Sequence, residues 1–255
     1  MNLDLSGKVA LVTGGSRGIG LAIAMALARE GATVGIAARD PARLASAHAQ
    51  VEALGGQCLA YACDLATPGE ATGFVEAVTS VFGRIDILIC NAGASGGPDF
   101  LEQTEKDWRR AFDLNLFHAV EALQAATPRM ATGSAALFVA SISGRKPVAA
   151  RWHYGAAKAA MIHAAGSLAL ELAPRGIRVN VLAPGSTLFP GGGWAKRSEE
   201  DPERFEAFVE REMPAGRLAT VDEIAAAAVF LVSPAASGFN GALVPVDGGQ
   251  GRPSW

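Results

Sequence analysis

The sequence is poor in cysteine, in aromatic side chains and in net charge. It has three cysteines, 7% aromatic residues and a formal net charge of −3 at pH 7. An odd number of cysteines without a Cys-x-x-Cys pair argues against a disulfide framework, and no cluster of His or carboxylate residues accompanies them to form a metal site. The weak net charge gives no reason to expect a nucleic-acid or anionic-membrane partner.

Long apolar runs are also missing. No stretch reaches the roughly 20 residues of a membrane span, and the N-terminus lacks the charged-then-apolar plan of a signal peptide. Cys58, Cys63 and Cys90 are interpreted as reduced and mostly buried thiols. Together these features predict a cytoplasmic protein without a membrane segment.

Glycine and small apolar residues are abundant instead, with 30 glycines and 50% hydrophobic residues in 255. Apolar β-type runs alternate with Ala/Leu-rich helical stretches, and these runs are Val9–Thr13, Thr33–Ala37, Gln57–Ala62, Ile85–Cys90, Ala135–Val139, Arg178–Ala183 and Ala242–Val246. Continuous apolar strands separated by helices are typical of a parallel sheet covered on both faces. We therefore predict an α/β fold, a doubly wound Rossmann-type parallel sheet of about seven strands, in a single domain over residues 1–255.

A glycine-rich sequence, Gly14-Gly-Ser-Arg-Gly-Ile-Gly20, follows the first apolar run and precedes a helical pattern. Glycines at positions 14, 18 and 20 allow a tight turn and a close approach of the backbone to a ligand. The free N–H groups and the dipole at the start of the next helix favour a diphosphate there. The flanking strand and helix favour nucleotide binding over a plain strand-to-helix turn.

Tyr154 and Lys158 are four residues apart in a helical pattern, so their side chains are predicted to share one face. A phenol titrates near ~10, which makes it a poor proton donor and acceptor at neutral pH. A neighbouring ammonium favours the phenolate and makes this tyrosine a candidate general acid and base. Ser141, thirteen residues before Tyr154, is a candidate hydrogen-bond donor to a substrate oxygen, with Ser143 as its rival.

Several short motifs occur in one order along the chain. They are Thr13–Gly20, Asp64-Leu65, Asn91-Ala-Gly93, Asn115, Ser141, Tyr154 with Lys158, Pro184-Gly185 and Val246-Asp-Gly-Gly249. Because of these motifs, the chain resembles the short-chain dehydrogenase/reductase family over essentially its whole length. It is similar in particular to the single-domain members, which include reductases of 3-oxoacyl carrier proteins.

The resemblance implies roles for these residues. Tyr154 would exchange the proton, and Ser141 would hold the substrate oxygen. Lys158 would lower the pKa of the phenol and hold the nicotinamide ribose, while Asn115 would hold a water that passes protons outward. No metal is implied. The implied cofactor-binding residues are Gly14, Ser16, Arg17, Gly18, Ile19, Gly20, Arg39, Asp64, Leu65, Asn91, Ala92, Gly93, Tyr154, Lys158, Pro184, Gly185 and Thr187. Asp64 would meet the adenine, or it would cap the helix after Pro68.

The end of the second strand indicates which nicotinamide cofactor binds. An acid about twenty positions after the glycine loop accepts the ribose hydroxyls of NAD(H) and repels a 2′-phosphate. At the position of the family's acid this chain has Ala38, followed by Arg39. With Arg17 in the loop, two arginines favour NADP(H), while NAD(H) stays possible if Asp40 substitutes as the acid. Pro41 favours the other interpretation, in which Asp40 caps the next helix.

Residues 187–216 interrupt the alternation and are predicted to form a substrate lid, with Phe189 and Trp194 as apolar contacts. The alternative is a surface excursion that packs on the core. Four residues between Ser141 and Tyr154 are predicted to lie near the mouth of the site, and these are Arg145, Lys146, Arg151 and Trp152. They would hold an acidic tail or a phosphopantetheine, or they would simply be solvated. His153 follows Trp152 on another helix face than Tyr154, and His48, His118 and His163 are interpreted as ordinary helix residues.

We predict an NADP(H)-dependent oxidoreductase that acts on a small carbonyl or alcohol. The alternatives are a reductase of 3-oxoacyl thioesters bound to a carrier protein or CoA, and a regulator that binds NADP without turnover. By resemblance, Asp107–Thr127 and Tyr154–Pro174 would pair across a dimer interface, and Val244–Gln250 would build a second interface. A homotetramer is therefore expected, with a dimer as the fallback.

Overall fold

The computed structural model describes residues 3–149 and 152–252, and within them seven strands form one parallel sheet. The strands are β1 (Val9–Thr13), β2 (Thr33–Ala38), β3 (Cys58–Ala62), β4 (Ile85–Cys90), β5 (Met130–Val139), β6 (Arg178–Pro184) and β9 (Leu243–Val246). Their order across the sheet is β3-β2-β1-β4-β5-β6-β9. The predicted doubly wound parallel sheet is confirmed.

Helices cover both faces of this sheet. They are α1 (Gly18–Arg29), α2 (Pro41–Glu52), α3 (Glu70–Phe82), α4 (Glu105–Phe112), α5 (His118–Ala126), α6 (Trp152–Leu172), α7 (Gly193–Glu200), α8 (Pro202–Glu212) and α9 (Val221–Val232). Helices α1, α2 and α9 pack on one face, and α3, α5 and α6 on the other. Among the described residues, no helix is both long and apolar enough to cross a membrane.

The two cores follow from the alternation of side chains along each strand. In β1, Leu11 packs with the α3 side and Val12 with the α1 side, and both are fully buried. Because both faces are covered, the strand is apolar at each position from Val9 to Val12 rather than at every second one. Phe74 of α3 and Leu27 of α1 are also fully buried, and truncating either to alanine is expected to cost about 2–5 kcal/mol.

The predicted strand positions agree with the structure to within a residue or two, except at β5. That strand begins at Met130 rather than Ala135, and its pairing with β4 shifts register between Ile85 and Ile87. A short two-stranded sheet of β7 (Thr187–Leu188) and β8 (Ala219–Thr220) was not predicted. It closes the base of the excursion between residues 187 and 220.

The strand order places a topological switch point between β1 and β4, because the chain leaves β1 in one direction and later returns to its other side. The loops after these strands start at Gly14 and Asn91, and both lie at the carboxyl edge of the sheet. Open α/β sheets bind ligands in the crevice at this point.

Candidate active site

One large cavity, with a volume of about 1940 Å³, opens at the carboxyl edge of the sheet. It is lined by the loops after β1, β2, β3, β4, β5 and β6, by the start of α6 and by the excursion that carries α7 and α8. Every site residue predicted from the sequence lines this cavity except Asn115, which lies behind its wall.

The glycine loop forms one end of the cavity. Gly14 and Gly18 have positive φ angles of 69° and 54°, which other residues adopt only under strain. A Cβ on Gly20 would lie 2.2 Å from the carbonyl oxygen of Gly14, so this close turn also requires a glycine. Among the described residues, no side chain caps the start of α1 and no acid lies in its first turn. The N–H groups there are therefore free to bind an anion.

Thr13 and Asn91 join β1 to β4 beside the glycine loop. The Thr13 hydroxyl accepts hydrogen bonds from the backbone N–H groups of Asn91 at 2.9 Å and Ala92 at 3.0 Å. The Asn91 amide donates to the carbonyl oxygens of Thr13 at 2.9 Å and Gly14 at 3.2 Å. These bonds fix the switch point, so Asn91 positions the loop while it lines the cavity.

His118, in the first turn of α5, lies behind the same threonine, a contact that the sequence did not indicate. Its ring is 2% exposed, and Nε2 lies 3.4 Å from the Thr13 hydroxyl oxygen. Burial first, and the charge of Lys158 second, lower the pKa of His118 to about 3. His118 is therefore neutral at physiological pH.

Three arginines surround the end of β2 where it meets the cavity. Arg17, Arg39 and Arg43 all line it, and Arg43 was missed because only its position in the first turn of α2 brings it there. Asp40 accepts hydrogen bonds at 3.0 Å from the backbone N–H groups of Ala42 and Arg43. It therefore caps α2, as the first-turn proline predicted. Because Asp40 is engaged as this cap, the cluster of Arg17, Arg39 and Arg43 fits the 2′-phosphate of NADP(H).

Asp64 does not cap the next helix, and that part of the prediction was wrong. Helix α3 begins at Glu70 with Gly69 at its N-cap, five residues beyond Asp64. The Asp64 carboxylate instead accepts a hydrogen bond from Ala66 N–H at 3.1 Å and closes a turn. It lies 4.0 Å from the Arg39 guanidinium, so it lines the cavity beside the arginine cluster.

Lys158 and Tyr154 share the face of α6 that meets the cavity. The Lys158 ammonium lies 5.9 Å from the centre of the Tyr154 ring and donates to the Val139 carbonyl oxygen at 2.8 Å. Lys158 is 2% exposed, and burial lowers its pKa from 10.5 to about 7. The lysine is thus held next to the phenol at a pKa where it can exchange a proton at neutral pH.

Ser141 lies two residues after the end of β5, in the turn that packs against α6. Its hydroxyl oxygen accepts a hydrogen bond from Ser143 N–H at 3.1 Å, which caps the short 3₁₀ turn Ile142–Gly144. A hydroxyl that accepts this bond can still donate its own proton to a ligand in the cavity. Ser143 also lines the cavity but is 8% exposed, with its backbone against Gly155.

Asn115 lies in a π-helical segment, Asp113–Phe117, between α4 and α5. Its amide donates to the carbonyl oxygens of Ala94 at 3.0 Å and Ala111 at 2.9 Å, and its oxygen accepts from Ala94 N–H at 3.2 Å. Such π segments are frequent at functional sites. A Cβ on Gly93 would lie 2.6 Å from the Asn115 oxygen and 3.2 Å from the Lys158 nitrogen. Asn115 and Lys158 therefore face one point, which only a glycine leaves open.

His153, next to Tyr154, holds the loop that follows β4. Its Nδ1 accepts a hydrogen bond from Gln103 Nε2 at 3.0 Å, and its Nε2 donates to the Gly96 carbonyl oxygen at 3.3 Å. Trp152 donates to Gln103 Oε1 at 2.8 Å. Gly96 lines the cavity, so Gln103 and His153 position its wall beside Tyr154, a function that the sequence did not reveal.

The cations predicted near the mouth are partly engaged with the protein. Lys146 lies 3.8 Å from the Glu212 carboxylate at the end of α8, which ties the excursion to the loop after Ser141. Trp152 packs edge-on against Phe100. Arg151 lies outside the described residues.

None of the three cysteines is a reactive nucleophile at neutral pH. Cys63 and Cys90 are buried and Cys58 is half-buried, and all three are free thiols. Burial raises the pKa of each to about 12, so none is a thiolate at neutral pH. Residues 3–149 and 152–252 contain no group of three or more potential metal ligands.

Comparison with known proteins places this site in a family. The family model described as enoyl-(acyl carrier protein) reductase matches residues 14–250. The 7α-hydroxysteroid dehydrogenase of Escherichia coli K12 is 35% identical over 250 residues, which are 97% of this chain and 96% of that protein.

Solved structures agree with the sequence relatives. A short-chain dehydrogenase of Burkholderia cenocepacia J2315, in complex with NADP, superimposes with a TM-score of 0.89 and 36% identity over 96% of this chain and 98% of that one. The L-sorbose reductase of Gluconobacter frateurii, with NADPH and L-sorbose, gives a TM-score of 0.93 and 34% identity over 100% of both chains. This chain belongs to the short-chain dehydrogenase/reductase family of oxidoreductases.

Proposed function

We propose that this chain interconverts a carbonyl and a secondary alcohol with NADP(H), using Tyr154 as the general acid and base. The observation that carries the proposal is the meeting of Tyr154, a buried Lys158 and the hydroxyl of Ser141 in one cavity with the glycine loop. The NADP-bound and NADPH-bound relatives and the cluster of Arg17 and Arg39 support NADP(H) over NAD(H).

When bound, the cofactor supplies or accepts a hydride, and the protein must manage the accompanying proton. In reduction, the Tyr154 hydroxyl gives its proton to the carbonyl oxygen as that oxygen gains negative charge. Ser141 donates a hydrogen bond to the same oxygen, while the bond that it accepts from Ser143 N–H holds its hydroxyl in place. In oxidation the phenolate takes the proton back.

Lys158 and Asn115 would pass the proton between solvent and Tyr154. Lys158 is close to its pKa at neutral pH, so after reduction it can reprotonate the phenolate and then be reprotonated itself, and in oxidation the same path runs outward. The two N–H groups of the Asn115 amide are used by Ala94 and Ala111, which leaves only its oxygen to hold a water near Lys158. This arrangement supports the relay implied by the family resemblance.

Residues 187–216 would act as a substrate lid, and the cofactor would lie under it. A Cβ on Gly18 would lie 2.9 Å from the Phe189 ring, so the excursion already touches the glycine loop. Trp194 and Phe208 stack with ring centres 4.3 Å apart and line the cavity. We propose one catalytic domain over residues 1–255 with this lid inside it.

A panel of substrates tests the proposal. Purified protein with NADPH is assayed against simple ketones, 3-oxoacyl thioesters of CoA and of a carrier protein, and with NADP⁺ against alcohols. Turnover of at least one compound supports the proposal. Turnover of carrier-bound thioesters alone would favour the second candidate, a 3-oxoacyl thioester reductase, which is the activity named for a Pseudomonas aeruginosa relative that is 34% identical over 253 residues. NADPH binding without any turnover would favour a non-catalytic regulator.

We also propose that the protein assembles as a homotetramer, with a dimer as the fallback. A shallow apolar cavity of about 240 Å³ lies between α5 and α6, and Leu170 on α6 is 78% exposed. Phe117, just before α5, is 54% exposed. Static light scattering measures the assembly directly.

The free thiols, two of them buried, support a reducing, cytoplasmic location.

A further inference from the structure

The two lid helices direct their positive charges into the cavity and most of their negative charges away from it. Residues 193–212 contain four cations and seven acids, so the segment is acidic as a sequence. Three of the cations line the cavity: Arg197, Arg204 and Arg211. Of the acids in this fully described segment, only Glu200 and Asp201 do so.

Helix α8 shows this separation most clearly. Its cavity face carries Arg204, Phe208 and Arg211, which follow the i, i+4, i+7 spacing of one helical face. Glu203, Glu206 and Glu210 are exposed and do not line the cavity. The sidedness is therefore built into the periodicity of the sequence.

Aromatic surface lies between these cations. Trp194 stacks on Phe208 with ring centres 4.3 Å apart, and Phe205 lies 6.3 Å from the same indole. The Arg197 guanidinium lies over the Trp194 ring at 4.9 Å. A ligand that covers this surface would place apolar groups against the aromatic side chains and meet the guanidinium that lies over Trp194.

Two of the guanidiniums are available to a ligand. Within the described part of the chain, neither Arg197 nor Arg204 lies within ion-pair distance of a carboxylate, whereas Arg211 pairs with Glu212 at 3.0 Å. The Asp201 carboxylate accepts a hydrogen bond from the backbone N–H of Arg204 at 3.1 Å, and it therefore serves as the N-cap of α8. Glu200 is the remaining acid on this wall, and it is the last residue of α7.

We propose that the lid forms a subsite for an oxyanion, and that the substrate of the proposed reaction is a carbonyl or alcohol with an apolar body and a carboxylate. Arg204 is the central ligand of the subsite, with Arg197 beside it and Trp194 and Phe208 under the apolar body. The proposal rests on the proposed function. A phosphate of the cofactor is the other oxyanion that could reach these arginines, and the experiment separates the two.

The experiment compares a keto carboxylate with its methyl ester, which lacks the negative charge and carries one additional methyl group. The wild type is expected to reduce the carboxylate with a kcat/KM about tenfold higher, through one charge-assisted hydrogen bond. The preference should shrink as salt is added, because the arginines are exposed. Arg204→Gln should lower kcat/KM about tenfold for the carboxylate and leave the ester unchanged.

A matched control is Lys196→Gln, which removes a cation from the same lid at a position that does not line the cavity. It should leave kcat/KM unchanged for both the carboxylate and the ester. Affinity for NADPH, measured by its fluorescence, should be the same in all three proteins. Equal kcat/KM for carboxylate and ester in the wild type would overturn the inference, as would weaker NADPH binding in Arg204→Gln.

Calorimetry separates this inference from the proposed function. The carboxylate and the ester are titrated into the protein saturated with NADP⁺, so that no turnover is needed. Tighter binding of the carboxylate supports the subsite even if neither compound is reduced. Turnover of both compounds with equal affinity would leave the proposed function standing and refute the oxyanion subsite.

Discussion

Replacing Lys158 by methionine gives a pH-dependent change in stability whose sign follows from burial. In the folded protein the Lys158 pKa is about 7 rather than 10.5, so between these values unfolding takes up a proton. The free energy of unfolding of the wild type therefore rises with pH over this range. Below about pH 7 both states carry the charge, and the folded state bears the full cost of burying it.

The displacement of the Lys158 pKa corresponds to a change of at most about 5 kcal/mol across this range. The lost hydrogen bond to Val139 adds a constant cost of about 1–3 kcal/mol at every pH. Lys158→Met should thus be more stable than the wild type at about pH 6 and less stable at about pH 10. The crossover, rather than either single value, is the signature of the buried ammonium.

Urea unfolding without cofactor measures this difference at a series of pH values. The exposed Lys196→Met serves as the control and should differ from the wild type by the same amount at each pH. A pH-independent difference for Lys158→Met would refute the reasoning. Lys158 would then keep its proton in the folded protein at all these pH values, and it could not exchange a proton in the proposed relay.

The cofactor loop and the core of the site give three further predictions. Ala38→Asp places an acid in the cavity wall and should weaken NADPH binding about tenfold or more relative to NADH, as measured by fluorescence titration; Asp40→Asn should instead change cofactor preference little, because Asp40 caps α2. Gly20→Ala forces a Cβ against the Gly14 carbonyl oxygen and should cost about 1–3 kcal/mol of stability, together with most of the NADPH affinity; unchanged values would refute this packing. Asn115→Ala should lower the melting temperature and kcat together, since it unpairs the buried carbonyl of Ala111, at about 1–3 kcal/mol, and the part-buried carbonyl of Ala94; an unchanged kcat would remove it from the relay.

Local signals in the sequence predicted the parts of the site that depend on few residues. Strands buried on both faces are predominantly apolar, so the runs of central strands such as β1 and β4 could be found from the sequence alone. The Asp40 cap was predicted because the preference for Asp before a proline at the start of a helix is local.

Features that depend on distant partners could not be predicted. The π segment around Asn115 is closed by hydrogen bonds to Ala94, 21 positions away in the chain. His118 meets the hydroxyl of Thr13, 105 positions away, and nothing in the pattern of α5 indicates it. Asp64 was wrongly considered a helix cap because turn and cap share one sequence preference, and only the position of Gly69 separates them.

The central claim, that the phenol of Tyr154 carries the proton for hydride transfer, is tested most directly by Tyr154→Phe. With a substrate found in the panel, single-turnover oxidation of NADPH is measured in the wild type and in the variant. We predict a loss of about 10²–10⁴-fold in the rate, while the affinity for NADPH stays within about twofold. A variant that retains the wild-type rate would contradict the account.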